Sequence, residues 1–85
     1  MYKRRIVGKK TSTGTKIKGF SNHAFMRLAE RRVSPNRIEQ ILAQKPELDK
    51  KHPSRDVYKH NGIGVVVDRN TGEIVTVMMT KKRGV

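Results

Sequence analysis

The chain lacks cysteine and tryptophan, and it is poor in acidic residues and aromatic side chains. Without cysteine, neither a disulfide framework nor a thiolate metal site can form. No apolar run approaches the roughly 18 residues that a membrane-spanning helix requires. The basic N-terminus is not followed by an apolar stretch, so we expect no signal peptide there. These absences point to a small domain without cross-links that does not insert into a membrane.

Positive charge is the strongest feature that is present. Twenty Lys and Arg face seven Asp and Glu among 85 residues, which gives a formal net charge of +13. A field of this size attracts polyanions and speeds their encounter with the protein. Nucleic acid is therefore the first candidate partner, ahead of an anionic membrane surface and an acidic protein.

The length of the chain allows one domain with one small core. Residues 1–19 hold seven Lys or Arg and no acid, and glycines and threonines interrupt them. We interpret residues 1–14 as a flexible basic arm and residues 15–85 as a single domain. A short strand over residues 15–18 is compatible with the position of Ile17 between two lysines.

Two helices are predicted in the middle of the chain. The first spans residues 21–32, with Ser21 or Asn22 as its N-cap. The second begins at Ser34–Pro35, because serine is a good N-cap and proline suits the first helical position. It ends before Pro46, and the polar tract that follows is predicted to be a loop. The residues expected on the apolar faces of these helices are Ala24, Phe25, Leu28, Ala29, Ile38, Ile41 and Leu42.

The rest of the sequence predicts a β-meander of three strands, over residues 56–60, 63–68 and 73–79. Asn61–Gly62 between the first two is a strong hairpin signal, and residues 69–72 predict the next turn. The order of elements predicts an α+β domain, in which two N-terminal helices pack on one face of an antiparallel sheet.

The sequence offers no recognisable metal or cofactor site. Its three histidines, His23, His52 and His60, are far apart, and no metalloprotease, calcium-loop, phosphate-loop or dinucleotide motif is present. What remains is a set of imidazole, guanidinium, ammonium and hydroxyl groups. Such groups suit metal-free RNA cleavage, in which the ribose 2′-hydroxyl loses its proton, the 5′-oxygen gains one, and cations stabilise the phosphorane.

His23 is the leading catalytic candidate. It is predicted to lie in the first turn of the first helix, away from the core, with Arg27 and Arg31 following at one-turn steps. A phosphate along that stripe would meet one base and two guanidinium groups. Taken alone, the same residues are more typical of a solvated helix face that includes Glu30.

The last strand and its neighbours supply further candidates. Thr76 and Thr80 are expected on the concave face of the sheet, since the alternate residues of that strand are all apolar. Thr76 could also be no more than a good strand former. Tyr58 could fill the core, stack on a base or donate a proton. Gly64 either leaves room for a ligand or marks a bulge. Ser54 and Arg55 precede the first strand of the meander and could contact phosphate.

Two runs of the sequence resemble a known group of proteins. FSNHAFMRLAERRVSPNRIEQIL carries the pattern Ser-x-His-x-x-x-Arg-x-x-x-Arg-x-Val-Ser before a short helix, and PSRDVYKHNGIGVVVDRNTGEIVTVMMT ends in a threonine-bearing strand. Together, over about residues 15–80, they resemble the compact toxin domains of the barnase–EndoU–colicin–RelE superfamily. More narrowly, they are similar to C-terminal toxin domains of bacterial polymorphic and contact-dependent inhibition systems.

The resemblance implies a twisted antiparallel sheet of four strands, the fourth formed near Ile17, with the helices on one side. It implies a ribonuclease, often a transfer-RNA nuclease, that is neutralised by a cognate immunity protein, which we expect to be acidic. Such a toxin domain would be delivered into the cytoplasm of a target bacterium, and the need for a host translation factor stays open. The implied active-site residues are His23, Arg27, Thr76, Ser54, Tyr58 and Thr80. The basic residues expected to contact RNA are Arg31, Lys16, Lys18, Arg55, Lys81 and Lys82.

A second function is compatible with the same composition. Charge and size alone suffice for a non-catalytic RNA-binding or ribosome-associated protein. The two functions differ over His23, because a binding protein should tolerate its loss and a nuclease should not.

Overall fold

The computed structural model describes residues 6–79. Helix α1 spans Asn22–Glu30. Ser21 is its N-cap, as predicted, and its Oγ accepts the backbone N–H of Ala24 at 3.0 Å. Ala24 and Leu28 are buried as expected, whereas Ala29, predicted on the apolar face, is exposed. The helix is therefore rotated slightly from its predicted orientation, and Phe25 is only half-buried.

The end of α1 takes a conformation that is uncommon for its residue type. Arg32 has φ 54°, in the left-handed region that favours glycine. Its N–H donates to the carbonyl of Ala29 at 3.1 Å, and the N–H of Val33 donates to that of Leu28 at 3.0 Å. These two bonds form a Schellman motif, and the buried Val33 and Leu28 supply its apolar contact.

Helix α2 spans Pro35–Leu42 and confirms the predicted start. Ser34 is its N-cap, with the Oγ accepting the N–H of Arg37 at 3.2 Å, and Pro35 occupies the first helical position. Ile38, Ile41 and Leu42 are buried. The predicted apolar stripe of this helix is confirmed.

Five strands form one mixed sheet. The predicted meander is confirmed over β3 (Arg55–His60), β4 (Ile63–Asp68) and β5 (Glu73–Met79), which pair antiparallel. The Asn61–Gly62 turn has φ values of 50° and 83°, as such a two-residue hairpin requires. The sheet order is β1-β5-β4-β3-β2, so two short strands flank the meander.

Strand β1 (Gly19–Phe20) corrects two expectations. It pairs parallel with β5, so the sheet is not wholly antiparallel, and it lies just after the residues 15–18 where a strand was expected. The backbone N–H of Lys18 donates to Gly72 at 2.8 Å, and that of Ser21 donates to Ile74 at 2.9 Å. These long-range bonds, rather than local strand propensity, determine the position of β1.

Strand β2 (Glu47–Leu48) lies in the tract that was predicted to be a loop, so the sheet has five strands and not three or four. It pairs antiparallel with Val57 and Asp56 of β3. A salt bridge of 3.0 Å between Glu47 and Lys59 supports this edge. Both residues of β2 are exposed, so no apolar pattern in the sequence predicts this strand.

One face of the sheet carries the core. The cross-strand row Tyr58, Val65 and Val77 is buried in a single cluster with the apolar residues of α1 and α2, so both helices cover this face. The opposite side, here called the open face, carries the row Val57, Val66 and Thr76. The shared placement of the helices confirms the predicted layer arrangement.

A β-bulge shifts one residue between the faces. Val67 pairs with Ile74 and Val66 pairs with Thr76, which leaves Val75 as the extra residue on β5. Ile74 was expected to share a face with Thr76, but the bulge moves it to the core face, where it is fully buried.

The segment before β1 also differs from expectation. Residues 8–18, here called the basic hairpin, form a hairpin-like turn whose strands meet at a bridge between Lys10 and Lys16. Ile6 and Ile17 are fully buried in the core. Residues 6–14, which were expected to belong to a flexible arm, instead form hydrogen bonds with the domain and bury Ile6 in its core; residues 1–5 lie outside the described range.

Candidate functional site

His23 lies in the first turn of α1 and is exposed. It follows Ser21 by two residues, so the cap that starts the helix also determines where the imidazole is presented. The flanking Ala24 is fully buried, which fixes the helix against the sheet and leaves His23 on the solvent side. The predicted position of this residue on the polar face is confirmed.

Arg27 and Arg31 follow His23 along α1. Residues four apart lie on one side of a helix and are separated by about 6 Å along its axis. Arg27 is half-buried, while Arg31 is exposed and forms the C-cap. Both guanidinium groups lie near the negative end of the helix dipole, where a cation is stabilised. The stripe of one imidazole and two guanidinium groups therefore exists on this helix.

The start of α1 is joined directly to the edge of the sheet. The Ser21 hydroxyl donates to the carbonyl of Val75 at 2.7 Å while accepting the N–H of Ala24. Val75 is the bulged residue, and Thr76 follows it on the open face. Ser21 therefore joins the first turn of α1, which carries His23, to the β5 backbone at Val75. The next residue of β5, Thr76, lies on the opposite face of the sheet from α1.

Thr76 is half-buried on the open face, as predicted. Its cross-strand neighbours Val66 and Val57 are buried at 2% and 8% exposure, although neither belongs to the main core cluster. They form an apolar floor beside the threonine hydroxyl. In the next row, Gly64 lies between Lys59 and Met78 and is buried.

Tyr58 does not belong to this site. Its ring is fully buried in the core, and its hydroxyl is within 2.9 Å of the Thr13 hydroxyl. The prediction of a catalytic or base-stacking Tyr58 is therefore wrong, because the residue lies on the helix-covered face of β3. The alternative that it fills the core is confirmed.

Ser54 and Arg55 lie at the start of β3, two strands away from Thr76. The Ser54 carbonyl accepts the N–H of Arg69 at 2.8 Å, and the Arg69 guanidinium donates to Asp56 and to the carbonyl of Pro53. This clamp fixes the loop before β3. Arg55 is half-buried on the open face opposite Asp68, so it borders the apolar floor without reaching the α1 stripe.

The remaining predicted residues are distributed around these elements. Lys16 and Lys18 are exposed on the basic hairpin. Thr80, Lys81 and Lys82 lie outside the described residues. Within residues 6–79, no group of three His, Asp or Glu side chains could hold a metal ion. In the same range, no helix is long and apolar enough to cross a membrane.

Charge is distributed very unevenly along the chain. Residues 1–32 contain ten Lys and Arg against one acid, whereas residues 33–79 contain seven against six. The α1 stripe and the basic hairpin both belong to the first part, and the meander belongs to the second. Residues 1–32, which include His23, therefore contribute nine of the thirteen net positive charges.

Sequence reasoning missed several residues that shape these surfaces. Lys9 and Lys10 were assigned to a flexible arm, although both are exposed on an ordered hairpin. Ser12 and Thr13 anchor that hairpin, and no local signal marks them because their partners are distant in sequence. Arg32, in its left-handed conformation, stands where glycine is the usual signal.

Comparison with protein-family models, with curated proteins and with solved structures finds no match for this chain.

Proposed function

We propose that this protein is a metal-independent endoribonuclease, with transfer RNA as the expected class of substrate. The observation that carries the proposal is the α1 stripe: an exposed imidazole followed by two guanidinium groups at one-turn steps. The net charge of +13, most of it in residues 1–32, supports a polyanionic substrate.

The proposed reaction needs only proton transfer and charge stabilisation. The His23 imidazole accepts the proton of the ribose 2′-hydroxyl, whose oxygen then attacks the adjacent phosphorus. The bond from phosphorus to the 5′-oxygen breaks, and that oxygen takes a proton from the imidazolium or from water. Arg27 and Arg31 stabilise the extra negative charge of the phosphorane. The products are a 2′,3′-cyclic phosphate and a 5′-hydroxyl.

Thr76 is proposed to assist from the sheet. The hydrogen bond between Ser21 and Val75 holds the start of α1 beside β5, immediately before Thr76. Because this hydroxyl lies on the open face and α1 covers the other face, we propose that it contacts a nucleotide passing the β1 edge of the sheet, and not the phosphate attacked at His23. Arg55, at the far side of the open face, is proposed to contact a more distant phosphate. Ser54 receives no role beyond the loop that it helps to fix.

The resemblance to bacterial toxin domains supports the same reaction and adds partners. We propose that an acidic immunity protein covers the His23 face, since complementary charge speeds capture and burial of that face blocks cleavage. The proposed place of action is the cytoplasm of a target bacterium. A host translation factor is a further partner to be tested by adding cell extract to the purified protein.

The test is cleavage of total bacterial RNA by the purified protein, with and without EDTA, followed by mapping of the new 3′ ends. We expect activity in EDTA and ends that carry a cyclic phosphate. His23→Ala should lower the cleavage rate by roughly two to four orders of magnitude. The matched control is His52→Ala, which removes another exposed histidine from a loop far from α1 in sequence.

Two outcomes would contradict the proposal: an unchanged cleavage rate for a folded His23→Ala variant, or equal losses for the His23 and His52 variants. Absence of cleavage by the wild-type protein, together with tight RNA binding, would favour a non-catalytic RNA-binding protein. The exposed lysines of the basic hairpin support that second function, because they can bind phosphate without any catalytic group.

A further inference from the structure

The basic hairpin is an ordered element with its own hydrogen-bond pattern. The N–H of Ile17 donates to the Lys9 carbonyl at 2.8 Å, and the N–H of Gly8 donates to the Ile17 carbonyl at 2.7 Å. At the tip, the N–H of Thr11 donates to the Thr15 carbonyl at 2.9 Å. These bonds fix the backbone between Gly8 and Ile17.

Two side chains anchor the tip of the basic hairpin to the rest of the domain. The N–H of Ser12 donates to the Leu42 carbonyl at 2.9 Å, and its hydroxyl donates to the Gln44 carbonyl at 2.7 Å. Ser12 therefore satisfies free carbonyls at the end of α2. Thr13 lies within 2.9 Å of the Tyr58 hydroxyl and 3.0 Å of the Thr11 hydroxyl. The hairpin is thus attached at its tip as well as at its base.

The base of the hairpin is fixed by close packing. Ile17 is fully buried, so the alternation along an extended segment turns its neighbours Lys16 and Lys18 away from the core. The turn at Gly72 lies against the same segment, since a Cβ there would be 2.3 Å from the Lys16 carbonyl. The lysines are therefore held on a hydrogen-bonded, closely packed backbone and directed outward.

Within residues 6–79, no acidic side chain pairs with the charges on this hairpin. Lys9, Lys10, Lys16 and Lys18 are all exposed, and none forms an ion pair with another residue in the described range. Lys10 and Lys16 lie directly opposite each other across the bridge, an arrangement in which like charges destabilise a strand pair. A bound polyanion would remove that repulsion.

We infer that the basic hairpin is a preformed docking surface for the phosphate backbone of RNA, separate from the residues that perform cleavage. The identity of the polyanion rests on the proposed function. The tip between its strands, residues 11–15, consists of serine, threonine and glycine and carries no apolar side chain. A bilayer-binding surface instead places apolar side chains between its basic residues.

The hairpin leads directly into the catalytic helix. Lys18 is joined to the N-cap Ser21 through the extended strand β1, a separation of about 10 Å for three residues. That span corresponds to about three phosphates along one strand of a nucleic-acid helix. RNA held on the hairpin therefore extends toward His23 and positions a phosphodiester bond a few nucleotides away.

The experiment measures binding without cleavage, so that it stands independently of the catalytic proposal. In a His23→Ala background, Lys10→Gln with Lys16→Gln is compared with Lys50→Gln with Lys51→Gln, which removes the same charge from another exposed site. Affinity for a labelled transfer RNA is followed by anisotropy at several salt concentrations. Melting temperatures confirm that each variant is folded.

We expect the hairpin variant to bind roughly tenfold more weakly at physiological salt, with a salt slope shallower by about 1.4 to 1.8. The Lys50/Lys51 variant should change both quantities much less. Equal losses for the two variants would overturn the inference and leave only diffuse attraction. A hairpin variant with unchanged RNA affinity but lost binding to phosphatidylserine vesicles would also overturn it, in favour of a membrane surface.

Discussion

Residues 1–32 and residues 33–79 differ sharply in charge and in the kind of structure they form. The first part has ten basic residues and one acid, and its described portion consists of the basic hairpin, strand β1 and helix α1. The second part is nearly neutral and forms α2 and the four strands β2 to β5. The basic part carries His23, Arg27, Arg31 and the exposed hairpin lysines of the proposed function, while the neutral part provides most of the buried framework.

The two parts meet at a small number of defined contacts. Ser21 binds the Val75 carbonyl, Ser12 caps the end of α2, Thr13 reaches Tyr58, and Lys18 donates to Gly72. We therefore expect substitutions at these contacts to lower the free energy of unfolding. Substitutions of the exposed side chains on the basic hairpin and α1 should instead change RNA binding or the cleavage rate.

Gly72→Ala should have the largest effect on stability, because it disrupts the packing of Gly72, in residues 33–79, against Lys16, in residues 1–32. Gly72 has φ 73°, and a Cβ would collide with the Lys16 carbonyl at 2.3 Å. We expect a loss of about 2 to 3 kcal/mol in the free energy of unfolding, measured by urea denaturation. Gly14→Ala is the control, since it has φ 90° but nothing within 4 Å of the added Cβ, and it should cost less. Equal losses would show that the backbone conformation alone, and not the contact, matters.

Thr76→Val should lower the cleavage rate without lowering the stability of the sheet. The substitution removes one hydroxyl from the open face and keeps the volume and strand propensity. We expect the cleavage rate to fall about tenfold, equivalent to about 1.4 kcal/mol in activation free energy, with little change in melting temperature. Val75→Thr, which adds a hydroxyl at the bulge, is the comparison variant. A full cleavage rate in Thr76→Val would remove this residue from the site.

Tyr58→Phe should weaken the attachment of the basic hairpin. It removes the hydrogen bond to Thr13, which we expect to lower stability by about 1 kcal/mol. The double variant with Thr13→Val should be less destabilised than the sum of the single changes, because the partners are removed together. Chemical denaturation of all four proteins measures this coupling, and strict additivity would contradict it.

Arg32→Gly should have the smallest effect, with opposite signs for stability and binding. Glycine relieves the left-handed conformation at φ 54°, so we expect stability to rise by up to about 1 kcal/mol. Loss of the charge should weaken RNA binding slightly in the same salt titration. Arg31→Gln, which removes a neighbouring charge without changing the turn, should weaken binding with no gain in stability.

Local sequence signals were sufficient for the elements whose determinants are adjacent in the chain. Asn61–Gly62 specified its hairpin, Ser34–Pro35 specified the start of α2, and the strands on either side of the turn at residues 69–72 have the predicted bounds. In each case the residues that determine the structure are neighbours, so a short window contains the information.

The remaining structure depends on partners that are distant in sequence. Strand β1 exists because of bonds to β5, and the basic hairpin is ordered because Ser12 and Thr13 find α2 and Tyr58. A run of lysine, threonine and glycine looks like a flexible arm until these partners are known. The same reasoning placed His23 on the polar face of α1 and Thr76 on the open face, but it left the side of Tyr58 undecided, because strand parity could not decide which face of β3 the helices cover.

The parallel pairing of β1 with β5 affects when the sheet can be completed during synthesis of the chain. Residues of β1 are synthesised early, yet their partners Glu73 and Ile74 come near the end of the described chain. At ordinary rates of synthesis, the ribosome needs roughly 3 to 10 seconds to travel from Ser21 to Val75. During that interval a nascent chain carries its lysines and His23 without the junction that positions them. The proposed ribonuclease would therefore remain inactive beside the ribosome that makes it until β5 has been synthesised.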